Sequence, residues 1–205
     1  MERKISLFSE SAWDALVQIL QKRFLNRLIL SEEDLRYCAV EALELWGMFP
    51  KGSVRLNYDH PSLTGKKLDL FLPAYSGQAA IACELKYDRG IPSGHNQPRS
   101  MRAGAILNDF LRLAHFTAIT EVERFLIHLT DQEMLGYLRD PNNGFAPLSQ
   151  DGGLPLVITL AFLNDRAKSV GKMIKVPVID CAVSTVLGRD VGHDHHLSVF
   201  LVEPC

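Results

Sequence analysis

No stretch of this sequence approaches the roughly 18 uninterrupted apolar residues needed to cross a bilayer. The opening Met1-Glu2-Arg3-Lys4, followed by Ile5-Ser6-Leu7-Phe8-Ser9-Glu10, lacks the apolar core of a signal peptide. A cytoplasmic, soluble protein with no membrane partner is the expectation. The four cysteines, Cys38, Cys83, Cys181 and Cys205, are scattered without a CxxC pair. That excludes a zinc ribbon and a disulfide framework and leaves reduced thiols. Internal repeats and low-complexity tracts are also missing. The 205 residues suffice for one sizeable core, so a single domain over 1–205 is expected.

A large charge of one sign is lacking too, since the formal net charge is −2. Its distribution is uneven. Residues 51–112 carry nine Lys and Arg against five Asp and Glu, whereas the flanks carry 13 against 19. A basic middle can meet phosphates without making the whole surface adhesive.

Hydrophobic periodicity organises the chain. Trp13, Leu16, Val17, Leu20, Phe24, Leu25 and Leu28 recur at steps of three and four, predicting an amphipathic helix within 9–30. A second helix follows Ser31, with a stripe of Leu35, Cys38, Ala39, Ala42, Leu45 and Trp46, and ends at Gly47 and Pro50. Glu32, three residues before Leu35, lies on its inward side. The period then changes to two. Strands are predicted over Val54–Tyr58, Lys67–Leu72 and about Gln78–Tyr87. Beyond a loop over 88–100, a helix is expected from Met101 to Phe116, a strand from Phe125 to Leu129 and a helix from Gln132 to Leu138. A surface loop over 141–153 precedes strands at Leu156–Phe162 and Leu197–Val202, with a weaker one at Val176–Ala182.

Strand parity places Asp69 on one face of the second strand and Glu84 with Lys86 on one face of the third. These three ions sit in the apolar runs Leu68 to Leu72 and Ala80 to Leu85, where unpaired charge is expensive. Hydrolysis of a phosphodiester calls for a divalent cation that neutralises the phosphate and supplies hydroxide near neutral pH. Mg²⁺ or Mn²⁺ takes hard oxygen ligands, and one or two carboxylates suffice for Mg²⁺. Asp69 and Glu84 fit that role. Lys86, about 7 Å along the strand from Glu84, is placed to polarise a water or stabilise developing charge.

The run from Glu32 through Lys86 resembles the PD-(D/E)xK nuclease superfamily, in which a helix with an acidic residue precedes a β-meander. In that pattern the aspartate lies on the meander's second strand and Glu-x-Lys on its third. Here those places hold Glu32 or Glu33, Asp69, Glu84 and Lys86. Leu68 stands where the motif's name has proline. The resemblance covers a motif core of about 31–116. It implies a restriction-endonuclease-like α/β/α sandwich, with a central mixed β-sheet flanked by helices. It further implies a Mg²⁺- or Mn²⁺-dependent nuclease acting on nucleic acid, with DNA favoured over RNA, in bacterial DNA processing or defence. Asp69 and Glu84 would bind the metal, Lys86 would position water, and Glu32, preferred over Glu33, would assist. A chain this short would need a homodimer or a partner protein to cut both strands. The alternative is a non-catalytic nucleic-acid-binding or assembly subunit that retains the fold.

Further residues are candidates for phosphate contact. Arg99, Arg102 and Arg112 follow the motif on a loop and helix, and Lys66 and Lys67 flank the Gly65 turn. His193 and His195 would share a side in an extended chain, but no second cluster supplies further metal ligands, so a turn is expected there. Cys83, of opposite parity to Glu84, is expected to be a packed small hydrophobe.

Overall fold

The computed structural model describes residues 7–28, 31–45, 49–90, 97–117, 119, 121–149, 153–166 and 168–205, with side chains from Ala12 onward. The described residues form a mixed α/β structure built on one open, mostly antiparallel sheet of seven strands. Trp46, Gly47 and the centre of the 88–100 loop lie outside the described residues.

Two helices open the chain, α1 (Leu7–Leu25) and α2 (Glu32–Leu45). α1 buries Trp13, Leu16, Leu20 and Phe24. Leu25 and Leu28, although in phase, are 79% and 56% exposed, because the helix stops at Leu25. α2 begins where a reciprocal cap forms. The Asp34 N–H donates to Ser31 Oγ at 3.2 Å, and the Ser31 N–H donates to Asp34 Oδ2 at 2.8 Å. Its stripe of Leu35, Cys38, Ala39 and Ala42 is fully buried, whereas Leu45 is exposed.

The meander follows as β1 (Arg55–Asp59), β2 (Lys67–Leu72) and β3 (Ala80–Asp88). Helix α3 (Arg99–Ala114) then crosses over to β4 (Val122–Asp131), which runs parallel to β3. α4 (Gln132–Arg139) starts with Asp131 accepting from the Met134 N–H at 2.8 Å. Two short 3-10 helices (Pro141–Asn143 and Ala146–Ser149) follow, and then β5 (Leu156–Ile158), α5 (Leu160–Asn164), α6 (Lys168–Gly171), β6 (Cys181–Gly192) and β7 (His195–Pro204). The strand order is β1-β2-β3-β4-β7-β6-β5, and every neighbouring pair except β3 with β4 is antiparallel.

Alternating side chains build a core on each side of the sheet. Leu70, Leu72, Ile81, Cys83, Leu85, Ile127 and Val199 pack with α1 and α2. Phe71, Ala80, Ala82, Leu126 and Phe200 pack with Ile106, Leu107, Phe110 and Leu113 of α3. Helices therefore cover both faces. All four thiols are free, and burial raises that of Cys83, as a packed hydrophobe requires.

Two strands differ from expectation. Leu156–Phe162 is a strand only to Ile158, since Thr159 Oγ1 accepts from the Phe162 N–H and starts α5. The strand expected at Val176–Ala182 instead starts at Cys181 and runs twelve residues, while Pro177, which has no N–H to give a ladder, lies before it. At the β6–β7 turn His193 and Asp194 both have positive φ, 48° and 59°, the geometry of a tight hairpin. His195 stacks on Phe24 with ring centroids 4.8 Å apart and meets the Tyr87 hydroxyl at 3.0 Å. His193 thus lies in the turn, and His195 packs where α1 and β3 meet β7.

Candidate active site

The site arises where β2 and β3 part. Their ladder pairs Leu72 with Ile81, Phe71 with Ala82 and Leu70 with Cys83, and goes no further. β3 continues to Asp88 against β4 alone, so its N–H groups on the β2 side lose backbone partners. Two acidic side chains replace them. Asp69 Oδ2 accepts from the Leu85 N–H at 2.9 Å, and Glu32 Oε2 accepts from the Tyr87 N–H at 3.2 Å. The start of α2 thus reaches into the opening between the strands and carries Glu32, not Glu33, to β3. Glu33 instead holds Arg36 at 2.6 Å.

Around that opening, charges from four elements, α2, β2, β3 and α3, meet. Arg36 Nη2 lies 2.8 Å from Asp69 Oδ1. Lys86 Nζ is 3.6 Å from Glu32 Oε2. Arg112, from α3, sits 2.8 Å from Glu84 Oε1 and 3.2 Å from Asp109 Oδ1, and also donates to the Lys67 carbonyl. The Glu84 contact is a charge pairing with poor hydrogen-bond geometry, and Glu84 Oε1 lacks a well-formed hydrogen bond. Glu84 is 1% exposed.

This crowding perturbs the protonation of the cluster. Burial pushes the Glu84 carboxyl well up, Arg112 opposes it, and the nearby carboxyls of Asp109 and Asp69 push it further. Burial likewise raises Asp109 to about 6, against the pull of Lys86 and Arg112. For Lys86 burial works against the ammonium, but Glu32, Asp109, Asp88 and Asp69 outweigh it and raise the pKa. Lys86 is therefore held as a cation, able to donate hydrogen bonds and stabilise negative charge but not to act as a base.

Asp69, Glu84, Lys86 and Glu32 are thus brought together. The five basic candidates are not. Arg112 is inside the cluster, bound to carboxylates. Arg102 is 8% exposed, close enough to Asp88 to lower its pKa. Arg99 pairs with Glu133 at 2.8 Å on the surface. Lys66 is exposed on the Gly65 turn, and Lys67 lies 3.8 Å from Asp59.

Sequence reasoning missed Arg36, Asp109 and the buried pair His128 and Asp88. His128, wholly buried, sits opposite Lys86 in the β3–β4 register, with its Nε2 3.0 Å from Asp88 Oδ2. Asp109 and Arg112, three residues apart on α3, share a helix face, and that spacing was the available signal.

Among the described residues no group of three or more His, Cys, Asp and Glu is arranged to hold a metal ion. A magnesium site does not need three, because one or two carboxylates and several waters complete its shell. The carboxyls of Asp69 and Glu84 are hard oxygen donors, and the buried Glu84 oxygen without a well-formed hydrogen bond fits a cation ligand. Compared with protein-family models, curated proteins and solved structures, the chain matches none.

Proposed function

We propose that the chain is a Mg²⁺- or Mn²⁺-dependent nuclease with a restriction-endonuclease-like fold, hydrolysing phosphodiester bonds in DNA. The observation that carries this reading is the splay of β2 from β3, which gathers Asp69, Glu84, Lys86 and Glu32 at one opening. Such a set is expensive to maintain in an apolar sheet without a use. Asp69 and Glu84 would hold the cation, which supplies charge neutralisation at the phosphate and a source of hydroxide. Lys86, kept protonated, orients the attacking water and stabilises charge developing on the phosphate oxygens. Glu32 fixes the Lys86 ammonium and the end of β3 together. Bacterial DNA processing or defence, and a homodimer or partner for double-strand cleavage, belong to the same proposal.

One observation favours the second reading, a non-catalytic nucleic-acid-binding or assembly subunit. Arg36 and Arg112 already neutralise Asp69 and Glu84, so the carboxylates have counter-ions within the chain. The experiment that separates the two is incubation of the purified protein with single-stranded, duplex and branched DNA and with RNA, in Mg²⁺, Mn²⁺ or EDTA. Cation-dependent cutting supports the nuclease, and binding without cutting in every condition supports the subunit.

A further inference from the structure

We propose that Arg112 is a displaceable counter-ion that holds the cation's place at Glu84 and withdraws when a divalent cation binds, remaining tethered to Asp109 and the Lys67 carbonyl. This rests on the reading of Asp69 and Glu84 as cation ligands and adds how their loading is controlled.

The two carboxylates are held unequally. Asp69 has both oxygens engaged in well-formed bonds, one to Arg36 and one to the Leu85 N–H. Arg36 is itself fixed by Glu33 at 2.6 Å. Glu84 Oε1 has only the badly angled Arg112 contact. Its grip on the guanidinium is the weaker of the two, so an incoming cation exchanges there.

Arg112 is equipped to leave without being stranded. Its guanidinium touches three oxygens on three elements, Glu84 on β3, Asp109 on α3 and the Lys67 carbonyl on β2. Giving up Glu84 leaves two partners, one of them charged. The five donors of a guanidinium make such redistribution inexpensive. The Arg112 side chain is 20% exposed and that of Glu84 only 2%, so the arginine lies on the solvent side, where a cation would arrive.

Local repulsion favours the exchange. Glu32, Glu33, Asp69, Glu84 and Asp109 bring five carboxylates and Lys86, Arg36 and Arg112 three cations, so the cluster as a whole has room for a divalent ion, but the position at Glu84 is already taken by a guanidinium. A divalent ion added beside a guanidinium still seated on Glu84 would put like charges in contact in a buried place. Cation affinity is therefore set by exchange with Arg112, not by simple addition.

The test is calorimetric titration of Mn²⁺ into the full chain as wild type and Arg112→Gln, with Glu84→Gln as site control, together with a crystal structure of Mn²⁺-loaded wild type. Arg112→Gln should bind Mn²⁺ about tenfold more tightly or better, since a competing charge is gone. Glu84→Gln should bind it far more weakly. In loaded wild type Arg112 should have left Glu84 and kept Asp109. Unchanged or weaker affinity in Arg112→Gln, or an intact 2.8 Å contact beside bound Mn²⁺, overturns the exchange while the nuclease site stands. Absence of Mn²⁺ at Glu84 in both proteins overturns the site as well. If Arg112→Gln does not fold, the loaded wild-type structure decides alone.

Discussion

Replacing Asp109 by asparagine should stabilise the protein at neutral pH and leave it unchanged in acid. Asp109 is 8% exposed, and its pKa rises from 3.8 to about 6, chiefly through burial. The folded chain thus holds this proton more tightly than the unfolded chain does. The stabilisation is complete below the unfolded value near 4 and is lost as pH rises through about 6. The span from 3.8 to about 6 corresponds to about 3 kcal/mol. Asparagine mimics the protonated form and keeps an oxygen for Arg112. Urea unfolding of wild type and Asp109→Asn at steps from pH 4 to 7.5 should give curves that coincide near pH 4. They should diverge to about 3 kcal/mol at pH 7, with the variant the more stable. In a domain of this size that is a rise in Tm of about 6 °C or more. A variant less stable than wild type at pH 7, or a constant difference across the range, would refute the burial of an ionised Asp109.

Asp69→Asn keeps an acceptor for the Leu85 N–H but not the charge, so DNA cleavage should fall at least about 100-fold while circular dichroism stays native. Asp69→Ala also strands that N–H and leaves the Arg36 guanidinium with Glu33 alone, and should cost about 2 kcal/mol or more in denaturant unfolding. Leu107→Ala, in the core between α3 and the sheet, should cost about 2–5 kcal/mol by the same measurement without altering cation affinity. On the proposed reading, cleavage by wild type should increase as pH rises from 5 to 8, because the raised pKa of Glu84 keeps the proposed ligand protonated in acid. A flat pH profile would contradict that ligand role.

The meander and the helix before it were legible because their signals are local. Alternation in Lys67–Leu72 fixes the face of Asp69, and Ser31 marks the start of α2. β6 was hard to read because Ser184, Thr185, Gly188, Arg189 and Asp190 dilute its alternation, and its stability comes from pairing β5 and β7 on either side. The counter-ions were less legible still. Arg36 looks like an ordinary surface residue of α2 until the splay of β2 from β3 brings Asp69 to it, 33 residues away. Arg112 reads as a phosphate contact on a helix face, and only the crossover that lays α3 on the sheet turns it toward Glu84. Parity assigns a face. Which partner meets it depends on where neighbouring elements end.

The most direct measurement is cleavage of labelled DNA by the purified full chain in Mg²⁺ or Mn²⁺, compared with EDTA, for wild type, Glu84→Ala and Lys86→Ala. An active centre at Asp69, Glu84 and Lys86 predicts cutting by wild type that needs the cation and falls at least about 100-fold in either folded variant. Cation-dependent cutting that survives either substitution would contradict it.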